Sequence, residues 1–222
     1  MDPALLAQFP LLEEAVAALG LTCWAMVELE ADDALASAAA TCARHPGVSR
    51  AFICTPDKDL AQAVVGDKVV QVHRRGSRSG GGEQVWDEEG VRARFGVGPE
   101  SVPDYLALVG DSADGYPGLP GWGPRSAAAV LARFGHLEAV PERFSDWGLA
   151  LRRGERLAAT LAAHRDLAGL FRDLATLRVD ASLLEDPASL RWEGPRPDLA
   201  SVCRALDAPA LVRRAEALAD SL

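Results

Sequence analysis

Val109-Gly110-Asp111-Ser112-Ala113-Asp114-Gly115-Tyr116-Pro117-Gly118-Leu119-Pro120-Gly121-Trp122-Gly123-Pro124-Arg125-Ser126 runs straight into the helical stretch Ala127–Phe134. The segment starts where one helix must break at Gly110 and ends where another opens after Gly123. A glycine-rich turn that opens a helix presents backbone N–H groups to an anion, and the helix dipole favours negative charge there. Gly118, Gly121 and Gly123 are the backbone candidates for phosphate contact, with Leu119 and Trp122 expected to fold inward and pack the turn. Arg125 and Ser126 would add side-chain contacts. Contact of this kind reads no bases and binds any sequence. Taken alone, such a turn is more often a tight helix–helix connection with no ligand.

Working outward, Asp111 and Asp114 are the last of three acidic groups. Glu30, Asp32 and Asp33 follow the apolar run Leu21–Val27 and open an Ala-rich helix that reaches about Arg44. Asp57 and Asp59 follow a second apolar run, Ala51–Cys54. A third run, Lys68–His73, is β-like and leads into the loop Arg74–Gln84, with Arg75, Arg78, Gly80, Gly81 and Gly82. Strand runs alternating with helices predict βαβ units and a largely parallel sheet. Ligands collect at the carboxyl ends of strands in such sheets, so the first two acidic groups should share an edge. Each group is ordinary by itself: an Asp at a helix start is usually an N-cap, and Asp-Lys-Asp or Gly-Asp-Ser is usually a turn. Seven carboxylates in succession, each where a strand or helix ends, are what two hard divalent cations need to clamp a phosphodiester displacement. Convergence into one pocket would push at least one carboxylate pKa upward in the absence of metal.

From Val102 onward the pattern becomes helices with Gly and Pro turns, so a boundary is expected near Pro103, dividing residues 1–102 from 103–222. Before the first strand run, Leu11–Leu19 has helical spacing and stops at Gly20, an expected left-handed cap. Leu157, Leu161, Leu167, Leu170, Phe171 and Leu174 form a stripe expected to be core, and Ala200–Leu218 a helical pair broken at Pro209. His45, His73, His136 and His164 do not cluster and are expected to be structural or exposed.

Composition limits the functional classes. The chain has 222 residues, 23 basic and 32 acidic, for a net charge of −9. That balance excludes a protein that coats nucleic acid through a basic surface, unless cations reverse the sign around clustered carboxylates. Cys23, Cys42, Cys54 and Cys203 are scattered among mostly apolar neighbours, which predicts reduced, buried thiols and a cytoplasmic setting. No apolar run is long enough to span a membrane, and no membrane partner is expected.

Glu30-Ala31-Asp32-Asp33, then Thr55-Pro56-Asp57-Lys58-Asp59-Leu60-Ala61-Gln62, then the Val109–Ala127 block resemble, in order and spacing, the signature series of bacterial 5′–3′ exonucleases and flap endonucleases. The resemblance extends from about Leu11 to about Val179. It implies an α/β, PIN-like (Rossmann-like) nuclease core followed by an all-helical, helix-three-turn-helix DNA-binding module. It also implies Mg²⁺ or Mn²⁺ as two ions, one served by Glu30, Asp32 and Asp33 and the second by Asp57 and Asp59, with Asp111 and Asp114 as the last acidic pair. K⁺ would be held by main-chain oxygens of Gly118, Leu119 and Trp122, and DNA contacts would fall to Gly118, Gly121, Gly123, Arg125, Ser126 and Lys58. The implied partner is DNA with 5′ ends or flaps. Such nucleases begin with a strand ending in a metal-binding Asp and then a basic helical arch, which have no counterpart before Leu11. The core is therefore expected to be N-terminally incomplete. Either the chain is a piece of a longer protein or it binds DNA while cutting it poorly.

Overall fold

The computed structural model describes residues 2–74, 82–179 and 181–221. In chain order its helices are α1 (Pro3–Leu6), α2 (Phe9–Ala18), α3 (Ala31–Arg44), α4 (Glu88–Phe95), α5 (Val102–Val109), α6 (Pro124–Phe134), α7 (Gly154–Ala163), α8 (Arg165–Ala175), α9 (Leu199–Ala205) and α10 (Pro209–Ala219). The strands are β1 (Ala51–Cys54), β2 (Val69–Arg74) and β3 (Glu83–Trp86). The chain packs as two units, one made of Met1–Ala31 with Leu183–Leu222, the other of Asp32–Ser182. The boundary expected near Pro103 falls inside the second.

The smaller unit is helical. Ala18, Leu199, Val202, Cys203 and Ala215 form its buried cluster. Helix α2 ends at Gly20, which has φ 78° as a left-handed cap requires. A Cβ at Gly20 would stand 2.0 Å from the Gly194 carbonyl oxygen, so glycine is needed here for space as well. The run Leu21–Val27 was expected to be a strand and is not one. It has no ladder partner among the described residues, and Val27 is 94% exposed; without a neighbouring strand, β propensity alone does not order a segment.

The larger unit carries the sheet, in the order β1-β2-β3. β1 and β2 are parallel, with Phe52 opposite Val70 and Cys54 opposite Val72. β3 is antiparallel to β2, pairing Val85 with Val72. The expected parallel pair is present, and the third strand makes the small sheet mixed. Ile53, Val69, Leu60 and Ala39 pack one face of the sheet against α3. Helix α5 is the axle of the main core: Val102, Leu106, Ala107 and Leu108 are almost wholly buried among residues of α4, α6, α7 and α8. After β3 the described residues hold no further strand, only an isolated antiparallel bridge between Asp111 and Tyr116.

Two expectations about burial need correction. Leu157, Leu161 and Phe171 are core, but Leu167, Leu170 and Leu174 are exposed, the last by 62%, because they lie on the outer face of α8. Cys42 and Cys203 are buried, whereas Cys23 and Cys54 are exposed; Cys54 alternates outward from the buried Ile53 on β1. Arg75, Arg78, Gly80 and Gly81 lie outside the described residues.

Candidate metal centre

β1 ends at Cys54, and the chain turns at its carboxyl end through Thr55-Pro56-Asp57-Lys58 into a short 3₁₀ helix, Asp59–Ala63. Local hydrogen bonds set the turn: the Thr55 hydroxyl accepts the Asp57 N–H at 3.1 Å, and Asp57 Oδ1 accepts the Asp59 N–H at 3.2 Å. Gln71, fully buried on β2, donates its amide to the Thr55 and Asp57 carbonyl oxygens. Gln62 donates to the Asp59 carbonyl at 2.9 Å and to that of Ala175 at 2.8 Å, and accepts from Leu177 N–H at 3.0 Å. The Asp57–Asp59 backbone is thereby tied to the end of α8.

The third acidic group arrives from the other side. Helix α5 stops at Gly110, φ 87°, and the Asp111 and Tyr116 backbones bond to one another at 2.9 and 3.0 Å. Asp111 Oδ1 caps the tight turn by accepting the Ala113 N–H at 2.9 Å. The hairpin carries Asp111, which is 1% exposed, and the outward-lying Asp114.

Asp59, Asp111 and Asp114 each offer an oxygen, and these oxygens lie within 4.8 Å of one another. Asp59 Oδ1 is buried and receives no hydrogen bond. Burial first, then the charges of Asp114, Asp57 and Asp111, push the Asp59 carboxyl up to about 8. Burial, followed by Asp111 and Asp57, also raises Asp114. Burial pushes Asp111 upward too, but Lys58 and the Ala113 N–H outweigh it and hold Asp111 below the usual carboxylate range. Lys58 Nζ lies 2.6 Å from Asp111 Oδ2, a close pairing of opposite charges at a buried carboxylate. The hydroxyl of Tyr116 is buried without a partner, and its pKa is raised by burial and then by Asp59 and Asp111. Such a set, anionic, oxygen-rich and holding an undonated buried oxygen, fits a hard divalent cation.

The other predicted carboxylates are placed differently. Asp33, in the first turn of α3, is buried and accepts the Arg178 N–H at 2.7 Å through Oδ1. Asp32 is partly exposed beside it, and Glu30 is exposed in the other packing unit. The described residues thus bring three of the seven into mutual reach, with Asp57 acting electrostatically on Asp59 and Asp114. Sequence reasoning missed Gln62, Gln71 and Tyr116. Gln71 left one trace, a polar residue inside the apolar run Val69–Val72; Gln62 left none.

The glycine turn follows. Leu119 and Trp122 are buried, as expected, with the Trp122 ring 6.0 Å from that of Trp147. Gly118, φ 70°, is pressed against the end of α5, and Leu119 N–H bonds the Leu108 carbonyl at 2.9 Å. Around Gly121 and Gly123 the space a Cβ would take is open. Arg125 is exposed, while the Ser126 hydroxyl is engaged with Gly123, donating to its carbonyl at 3.0 Å and accepting its N–H at 3.1 Å.

The profile of the family described as 5′-3′ exonuclease, N-terminal resolvase-like domain, matches residues 1–96, and that of its C-terminal SAM fold matches residues 97–198. This chain belongs to the bacterial 5′–3′ exonuclease family. Among its relatives, the 5′-3′ exonuclease of Aquifex aeolicus is 31% identical over 89% of this chain and 61% of its own length. DNA polymerase I of Bacillus caldotenax is 32% identical over 86% of this chain, which spans only 21% of that protein. The fold of this exonuclease-family chain is shared with the catalytic core of Rad2 in complex with DNA substrate (TM-score 0.57, 18% identity, 94% of this chain and 66% of that one). It is shared also with the bacteriophage T5 flap endonuclease in a pseudo-enzyme–product complex with DNA and metal ions (TM-score 0.51, 18% identity, 83% and 61%).

Proposed function

We propose that this chain is the nuclease part of a 5′–3′ exonuclease or flap endonuclease, hydrolysing phosphodiester bonds of DNA at 5′ ends and flaps with Mg²⁺ or Mn²⁺. The observation that carries the reading is the convergence of Asp59, Asp111 and Asp114 around a buried carboxylate oxygen that no donor satisfies. These three would hold a divalent ion, Asp57 would add charge, and Glu30, Asp32 and Asp33 would serve a second position. A bound ion there supplies Lewis acidity to activate water and to offset charge on the leaving oxygen. The chain's own residues set the frame: Gln71 and Gln62 fix the Asp57–Asp59 backbone, and the Asp111–Tyr116 bridge fixes the opposing wall. The names of its relatives, and the DNA held in its structural neighbours, agree with this reading.

Duplex DNA would meet the turn at Gly118, Gly121 and Gly123, where the first N–H groups of α6 lack intrahelical partners. Arg125 supplies charge, and Lys58 lies beside the metal position. Ser126 contributes as an acceptor or through its N–H, since its hydroxyl proton already serves Gly123. A K⁺ ion would bridge the main-chain oxygens of Gly118, Leu119 and Trp122 to phosphate; that of Leu119 also accepts the Trp122 N–H at 3.1 Å.

A second reading, a DNA-junction binder with little turnover, is favoured by the Arg178 N–H occupying Asp33 Oδ1. A 5′-labelled flap substrate incubated with Mg²⁺ or Mn²⁺, beside Asp57→Asn and Asp111→Asn, decides between them. Cleavage that both variants abolish establishes the nuclease. Binding without cleavage leaves the second reading.

A further inference from the structure

We propose that Lys58 is the resident counter-cation of the acidic centre, which a divalent ion must displace from Asp111. The proposal rests on the metal-centre reading above and adds an energetic competition to it. Lys58 stands between Asp57 and Asp59 in the chain, so its backbone is fixed by the turn that holds both, while its ammonium reaches across to a third carboxylate. Among the described residues, no other Lys or Arg side chain makes an ion pair with Asp57, Asp59, Asp111 or Asp114.

The two partners are unequal in a telling way. Asp111 is 1% exposed and locked by the hairpin, whereas the Lys58 side chain is 33% exposed on a flexible four-carbon stem. The contact is short and joins opposite charges, on a carboxylate oxygen to which no backbone N–H donates. A divalent ion among Asp59, Asp111 and Asp114 would meet that ammonium at close range as a like charge. Asp111 cannot retreat and Lys58 can, so the lysine leaves toward solvent. Without it, the metal-free chain would keep a buried carboxylate uncompensated, which is costly. Lys58 therefore stabilises the empty centre and weakens its affinity for metal.

The test is Mn²⁺ binding to the full chain, followed by calorimetric titration, for the wild type, Lys58→Met and Lys58→Arg. Lys58→Met should bind Mn²⁺ more tightly, on the order of tenfold, the equivalent of one charge-assisted contact. Lys58→Arg should stay near the wild type. In thermal melts Lys58→Met should start lower in chelator and gain more from Mn²⁺ than the wild type gains. A lysine with a merely structural role would lower the melt without tightening Mn²⁺. Wild-type binding with equal or weaker binding by Lys58→Met overturns the proposal and leaves the metal centre standing. Binding by neither protein overturns both.

Discussion

Gly110 and Gly118 lie backbone against backbone: a Cβ on Gly118 would stand 2.4 Å from the Gly110 nitrogen, and one on Gly110 would stand 2.4 Å from the Pro117 carbonyl carbon. Both have positive φ, 87° and 70°, so the approach needs glycine twice over, for space and for conformation. This contact seats the glycine turn on the end of α5.

Gly118→Ala should therefore destabilise the protein whether or not nucleic acid is present. Backbone cannot yield as a side-chain tip can, and the expected loss is roughly 2–4 kcal/mol, or a melting-temperature drop on the order of 5–10 °C. Gly123→Ala is the contrast. Its φ of −160° is ordinary extended backbone, and the space around it is open. It should melt within about 2 °C of the wild type. Weaker binding of a DNA hairpin by Gly123→Ala, measured by fluorescence anisotropy, would then report on ligand approach alone. Unchanged binding would move the contact elsewhere.

The pH dependence of stability follows from Asp59. Its pKa is near 8 in the folded, metal-free chain and about 4 when unfolded, so between these values the native state holds more protons. This contribution to stability must fall steadily as pH rises through that window and level off above its upper end. Melts in chelator at pH 5, 7 and 8.5 should show the decline, and Asp59→Asn should flatten it. An unchanged slope in Asp59→Asn would assign the titration to another group.

Divalent metal should reverse the same loss. An ion that binds only the folded state stabilises it by about 2.7 kcal/mol at a hundred times its dissociation constant. Millimolar Mg²⁺ or Mn²⁺ at pH 8 should raise the melting temperature by several degrees, and Asp111→Asn should remove most of the gain. No shift in the wild type would count against the centre.

Asp104, 2% exposed on α5, makes a separate prediction. It accepts the Leu137 N–H at 3.2 Å, meets His136 Nδ1 at 2.8 Å and lies 3.6 Å from Arg172. Asp104→Ala leaves the buried Leu137 N–H without a partner and takes one of two carboxylates from Arg172, which keeps Glu138, and should cost roughly 1–3 kcal/mol in urea denaturation. His136, in this arrangement, is structural, and His136→Gln should leave DNA binding unchanged.

What the sequence disclosed and what it concealed follow the range of the interactions. Asp57, Asp59, Asp111 and Asp114 sit in short turns beside a strand end and a helix end, and local punctuation marks both turns. The inward packing of Leu119 and Trp122 was legible for the same reason. Gln62 and Gln71 were not, because their partners lie up to 115 residues away and an amide in an apolar segment has no local signature. Leu21–Val27 has the composition of a strand, but a strand exists only where another strand accepts its hydrogen bonds. Leu167, Leu170 and Leu174 show the matching limit on helices, since spacing identifies a face without saying what covers it.

The bridge between Asp111 and Tyr116 and the seat of Gly118 on α5 belong to one continuous stretch of backbone that runs on to the start of α6. A nucleic acid gripped at that helix start would be indexed against Asp111 by covalent geometry, as stock in a jig is indexed to the blade. The distance from grip to cut would then be a property of chain length, independent of base sequence. Adding one residue between Tyr116 and Gly118 should shift the position of the incision along the strand rather than merely slow it.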